Sequence, residues 1–233
     1  MIDIPTARAS GAEETVFLLD VDNTLLDNDR FGADLSDHLT QVFGAGERVR
    51  YWKLFVERRE KHGLADYLGI LESFRSGLEN DPRLPRLSDF LLDYPFATLL
   101  YPQALATVAH LGTLGMPVLL SDGDVVFQTR KIRHAGLWDA VAGRVLVYLH
   151  KERVMDSVQR LFPASHYVAV DDKPNLLAAM KAAIGSQLTT IFVRQGHYAH
   201  DVQAHTELPP PDRVIERIGD LAQLNLTNLK VPP

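Results

Sequence analysis

Four short apolar runs end in side chains that could do chemistry on a charged substrate. Val16-Phe-Leu-Leu closes on Asp20-Val-Asp22-Asn23-Thr24; residues 117–120 close on Ser121-Asp122-Gly-Asp124; residues 145–149 close on His150-Lys151; and residues 167–170 close on Asp171-Asp172. Brought together, these ends would set several carboxylates against a hydroxyl and an ammonium group. Carboxylates so crowded repel one another and are costly to desolvate unless a cation or a proton lies between them. A hard divalent ion with oxygen ligands, above all Mg²⁺, resolves that conflict.

The elements needed to bring the ends together are written in the same pattern. In an open parallel sheet, ligands bind at the carboxyl ends of the strands. The four runs and a fifth at 188–193 are continuous and β-rich, as strands buried on both faces should be. Between the later runs, residues 103–114, 125–135 and 174–184 read as helices, each followed by a glycine (Gly115, Gly136, Gly185) suited to a left-handed C-terminal position. This alternation implies right-handed crossovers and a doubly wound α/β sheet. Residues 27–100 break it: no strand is evident, and Trp52, Phe55, Val56, Leu64, Tyr67, Leu68, Leu71 and Phe74 recur at helical spacing, which predicts an insertion of three or four helices. Within it, residues 47–62 carry Arg48, Arg50, Lys53, Arg58, Arg59 and Lys61 against three glutamates, the pattern of a solvated helix face. After Pro209-Pro-Pro211, the spacing of Val214, Ile218 and Leu221 predicts a last helix over 212–221.

The 233 residues, 46% hydrophobic and 23% charged, suit one core with an insertion. The absence of cysteine excludes disulfides, thiolate nucleophiles and zinc–thiolate sites. A formal charge of −6 disfavours nucleic acid or an anionic membrane as the main partner. No run approaches a membrane span, and residues 1–15 lack the basic start and apolar middle of a signal peptide, so a cytoplasmic protein, monomer or homodimer, is expected. His197, His200 and His205 read as a surface loop rather than a metal site. Gly44-Ala-Gly46 lacks the preceding strand of a dinucleotide fingerprint, and neither a GxxxxGK[ST] loop nor a GxSxG elbow is present.

The motifs at the strand ends resemble those of the haloacid dehalogenase-like (HAD) superfamily. Asp20-Val-Asp22-Asn-Thr24 matches its DxDxT, followed in order by Ser121, Lys151 and Asp171-Asp172, over roughly residues 16–193. The resemblance implies a Rossmann-like core (1–30 and 100–233) with a helical cap (31–99) inserted after the first strand. It further implies a nucleophilic Asp20 that forms an aspartyl-phosphate, and Asp22 as acid and then base. Ser121 and Lys151 would be further catalytic groups, the first on a phosphoryl oxygen and the second beside Asp20. A Mg²⁺ would be held by Asp20, Asp22 (through its backbone carbonyl), Asp171 and Asp172. Thr24 would support Asp22, and Asn23, Asp122, Asn28 and Arg30 would stand near a small phosphorylated substrate. Relatives that displace halide lack a carboxylate at Asp22 and need no metal, so the resemblance points to a phosphatase.

Some alternatives stay open at this level. Lys131 competes with Lys151 for the third motif, and Asp172 could cap the following helix instead of meeting a metal, leaving that contact to Asn175. Asn23 stands where glycine is common, and Asp122 where asparagine often is. A sugar-phosphate mutase would use the same nucleophile, and a non-catalytic binding protein could retain the fold. A receiver-like signalling domain, suggested by Val170-Asp171-Asp172-Lys-Pro174, has too few residues after it.

Overall fold

The computed structural model describes residues 15–63, 65–200 and 209–225. Leu64 and His205 of the expectations above lie outside them, as does the side chain of His200.

The first apolar run forms β1 (Thr15–Leu19), the inner strand of a sheet whose order is β3-β2-β1-β4-β5-β6. The others are β2 (Met116–Asp122), β3 (Val145–Tyr148), β4 (His166–Asp171), β5 (Leu188–Val193) and β6 (Arg213–Ile215). Every pairing is parallel. Alternation along β1 divides the core. Phe17 and Leu19 join one apolar cluster, and Val16 and Leu18 join a second. A strand buried on both faces has no polar alternate position, which is why its sequence is an unbroken apolar run.

Five α-helices lie between β1 and β2, and the first four form the insertion: α1 (Asn28–Phe43), α2 (Ala45–His62), α3 (Tyr67–Arg75) and α4 (Leu84–Asp93). Asp27 caps α1 by accepting the Arg30 N–H at 2.9 Å. The chain enters and leaves this insertion side by side, since the Asp27 N–H donates to Leu99 O at 2.8 Å and the Tyr101 N–H to Leu25 O at 3.0 Å. Phe31, Leu35, Leu39 and Phe43 repeat along α1 at helical spacing and are buried in the same cluster as Phe17. The sheet's remaining cover comes from α5 (Ala104–Leu114), α6 (Val125–His134), α7 (Leu137–Ala140), α8 (Met155–Leu161) and α9 (Pro174–Ile184).

Three expectations need correction. Residues 212–221 are not a helix: Arg213–Ile215 pairs with Ile191–Val193 as the sixth strand, and a 3₁₀ turn (Ile218–Gln223) follows. Asp212 anchors the strand by accepting the Thr190 N–H at 2.8 Å and Lys181 Nζ at 2.9 Å, and the β-branched Val214 and Ile215 suit a pleated edge. Gly115 is extended at φ 175° rather than left-handed; its hydrogen is required because a Cβ would lie 2.2 Å from Thr15 O. Val56, expected on the apolar face of the insertion, is exposed.

Candidate active site

The strand order sets the carboxyl end of β1 between those of β2 and β4, and the acidic residues meet there. Lys151 is fully buried, with Nζ 2.5 Å from Asp20 Oδ1 and 2.6 Å from Asp171 Oδ2. Burial alone would depress its ammonium, but Asp171, Asp20 and Asp122 together hold it above the ordinary lysine range. It is therefore a fixed cation beside Asp20. The competing Lys131 has another partner: its buried Nζ donates to Asp22 Oδ1 at 2.8 Å, Asp22 Oδ2 at 3.0 Å and Asn28 Oδ1 at 2.9 Å.

Lys131 Nζ also lies 5.8, 5.9 and 5.2 Å from the ring centres of Phe31, Phe96 and Phe127, an aromatic enclosure that favours a cation. One turn earlier on α6, buried Gln128 donates through Nε2 to Ser121 Oγ at 2.9 Å and to Asp22 Oδ2 at 3.3 Å. Asp22 and Ser121 are thus linked across the site by residues that the motifs do not contain. Their signal was the i, i+3 spacing of Gln128 and Lys131, which sets two polar heads on the face that also carries the apolar Phe127 and Ile132.

Asp172 is buried, and neither carboxylate oxygen has a hydrogen-bond partner; Asp20 Oδ2 is likewise unpartnered. Burial, followed by the charges of Asp171 and Asp20, pushes the Asp172 carboxyl up to about 9. Burial raises Asp171 as well, against the pull of Lys151. Asp20, Asp171 and Asp172 each place an oxygen within 4.8 Å of the others. Buried all-oxygen donors, with Asp20 Oδ2 and both Asp172 oxygens left without partners, fit one hard divalent cation. Asp172 does not cap α9, since Lys173 is the N-cap residue and its N–H goes to Asp171 Oδ1 at 2.8 Å. Asn175 is exposed and so is not the better donor. The side chain of Asp22 is not in the acidic group, being held by Lys131 and Gln128.

The remaining expected residues separate. Asp122 accepts the Lys151 N–H at 2.7 Å and is pushed up to about 6, chiefly by burial. Asn23 takes a left-handed φ of 61°, which explains a position compatible with glycine. Its Oδ1 accepts the N–H groups of Asn28 and Asp29 at 3.0 and 3.2 Å, so it shapes the start of α1. Thr24 is buried, but its hydroxyl bonds nothing, so no hydrogen bond supports Asp22 from there. Arg30 is exposed, 4.0 Å from Asp34, and does not line the cleft, because the first turn of α1 turns it outward.

Beside the acidic group lies a cavity of about 530 Å³ whose floor is formed by Asp22, Asn23, Asn28 and Asp122, not by Asp20, Asp171 or Asp172 themselves, and whose walls include residues of α1, α2 and α3. Lys173, missed in the sequence, also lines it; burial lowers its ammonium, but Asp172, Asp20 and Asp171 outweigh that and raise it. His197 closes one side: its N–H donates to Asp29 Oδ2 at 2.7 Å, and its Nδ1 lies 2.6 Å from Asp29 Oδ1. This histidine ties the loop after β5 to α1.

Comparison with known proteins shows the family to which this fold belongs. A family model for haloacid dehalogenase-like hydrolases matches residues 15–183. A haloacid dehalogenase-like hydrolase from Burkholderia xenovorans LB400 is 52% identical, with a TM-score of 0.88 over 94% of this chain and 100% of its own. An L-2-haloacid dehalogenase from Xanthobacter autotrophicus with chloropropionic acid covalently bound is 18% identical, with a TM-score of 0.57 over 91% of this chain and 97% of its own. A HAD-hydrolase from Bacillus subtilis bound to magnesium is 14% identical, with a TM-score of 0.59 over 91% and 98%. These last two share the fold. No curated protein matches the chain. The chain belongs to the haloacid dehalogenase-like hydrolases and is an enzyme of that family.

Proposed function

We propose that this hydrolase is a Mg²⁺-dependent phosphatase of small phosphorylated metabolites, acting through an aspartyl-phosphate on Asp20. The observation that carries the reading is the carboxylate of Asp22, two residues beyond Asp20 and lining the cavity. A halide leaves without a proton, so displacing it needs no acid at that position, whereas an alkoxide leaving from phosphorus needs one.

A carboxylate oxygen of Asp20 attacks phosphorus, forming the Asp–O–P bond as the bond to the ester oxygen breaks. Asp22 gives its proton to the departing alkoxide. It then takes a proton from water, whose oxygen attacks phosphorus and breaks the Asp–O–P bond, releasing phosphate and restoring Asp20. Ser121 and the ammonium of Lys151 offset charge on the phosphoryl oxygens, and Lys131 and Gln128 hold Asp22 in place. Asp20, Asp171 and Asp172, with the Asp22 carbonyl, would hold Mg²⁺, which would supply electrostatic stabilisation of the transferring group. The helical insertion serves as a cap that excludes water and selects the leaving group.

The test is parallel measurement of phosphate release from alkyl phosphomonoesters and chloride release from 2-chloropropionate, each with Mg²⁺ and with chelator, using Asp20→Asn as the control. Phosphate release that needs both Mg²⁺ and Asp20 is expected. Metal-independent chloride release without phosphate release would replace the phosphatase with a dehalogenase.

A further inference from the structure

The wall facing the acidic floor differs from it in chemistry. Trp52 and Phe55 stand three residues apart on α2, hence on one face, with ring centres 5.1 Å apart. Phe55 meets Tyr67 of α3 at 5.4 Å, and Tyr67 meets Phe127 at 4.7 Å, so the rings form a continuous series running from the cavity into the core. The polar atoms of this series already have partners. Trp52 Nε1 donates to Ser36 Oγ at 3.3 Å, and the Tyr67 hydroxyl bonds the side chain of Asn28.

The other lining positions on this side, Gly32, Gly63 and Ala65, have no polar side-chain atom. Gly32 adjoins the indole, where a Cβ would make an ordinary contact of 3.9 Å with Trp52 Cη2. Among the described residues of this side, Asp29 and Arg59 are charged: Asp29 is held by His197 at the start of α1, and Arg59 sits exposed at the rim, donating to the Tyr198 hydroxyl at 2.5 Å.

We propose that the cavity selects phosphomonoesters whose alcohol carries a flat apolar group of about one ring, an arylalkyl phosphate, over phosphorylated sugars and polyols. The proposal rests on the phosphatase reading and adds the class of leaving group. Against Trp52 and Phe55 a polyol would press hydroxyls on ring carbon, and Asp29 and Arg59 on that side are already bonded to His197 and Tyr198, so hydrogen bonds to water would be lost without full replacement. An aromatic ring would instead remove its own surface and that of Trp52 and Phe55 from water, with edge or offset contacts available to both. A volume of about 530 Å³ lies within the usual range for small-molecule sites and has room for a phosphoryl group and one ring.

The test uses the full chain with Mg²⁺. 2-Phenylethyl phosphate, glycerol 1-phosphate and glucose 6-phosphate all release alkoxides, so a difference in kcat/KM reports the wall more than leaving-group reactivity; acetyl phosphate reports phosphoryl transfer itself. The arylalkyl ester should be preferred by roughly 10- to 100-fold, the factor for moving one ring out of water. Phe55→Leu and Trp52→Leu should each reduce that ratio at least about threefold. Calorimetry with phenylphosphonate and methylphosphonate measures the same preference without turnover, and the phenyl compound should bind at least about tenfold more tightly.

Turnover of acetyl phosphate with equal or better use of glucose 6-phosphate would overturn the proposal and leave the phosphatase standing. Silence on every ester, acetyl phosphate included, would remove the phosphatase. The phosphonate pair would still decide the wall: a ratio near one refutes it and a ratio above about ten upholds it.

Discussion

Replacing Lys131 with methionine isolates the ion pair that holds Asp22. Methionine is unbranched and of similar length, and its thioether suits the enclosure of Phe31, Phe96 and Phe127, so the packing is retained while three hydrogen bonds are lost. The Asp22 carboxylate would be left with Gln128 at 3.3 Å. Breaking a buried pair by removing one partner costs about 3–5 kcal/mol. Lys131 is fully buried but the Asp22 side chain is 25% exposed, so water can reach the stranded carboxylate, and the lower end, about 3 kcal/mol, is expected. For a chain of this length that corresponds to a fall in Tm of roughly 6–12 °C. Urea unfolding of wild type, Lys131→Met, Asp22→Asn and the double variant closes a cycle whose coupling should be about 1–3 kcal/mol. If Lys131→Met lies within about 0.5 kcal/mol of wild type, or costs as much in the Asp22→Asn background, the pair does not hold Asp22.

Further outcomes follow from the other buried charges. Asp172→Asn should raise the Tm in chelator, because folding then no longer has to protonate a buried carboxyl that lacks a hydrogen-bond partner, and should shrink the upward shift that Mg²⁺ gives the wild type; thermal scans with and without Mg²⁺ check both signs. Folding raises Asp122 from an ordinary value of 3.8 to about 6, so the folded state binds that proton more tightly and stability falls as pH rises from about 4 to about 6. Asp122→Asn should flatten that fall in metal-free protein, read as urea midpoints against pH. Gly63 has φ 76°, and a Cβ there would come 2.8 Å from His150 Cε1. Gly63→Ala should cost about 1–2 kcal/mol in urea unfolding.

The sheet was legible because a doubly buried strand has to be apolar at every position, and the acidic cluster because β1 and β4 close on the carboxylates that meet there. Helix α9 and strand β5 occupy the residues expected of them, 174–184 and 188–193. What escaped depends on contacts remote in sequence. Val214, Ile218 and Leu221 satisfy a helical period, yet pairing with β5 and the anchoring of Asp212 by Thr190 and Lys181 make the segment a strand and a turn. The partner of Asp22 lies 109 residues away on α6, so the first motif alone could not reveal it. Arg30 looked available to a substrate because it is cationic and near the motif, but its position on α1 directs it to solvent and Asp34. The aromatic wall was visible only as helical spacing, which serves a core and a binding surface equally well.

The central claim is that Asp20 carries the phosphoryl group, and acetyl phosphate with the Asp22→Asn variant tests it most directly. Acetate leaves without a proton, so the first transfer should proceed, while hydrolysis lacks its base and the phosphoenzyme should accumulate. Acid quenching, digestion and mass spectrometry should then find one added phosphoryl group on the peptide containing Asp20, and none when Asp20→Asn is also present. Phosphate release with no phosphoryl group on the protein, or a phosphoryl group at another residue, would contradict the mechanism.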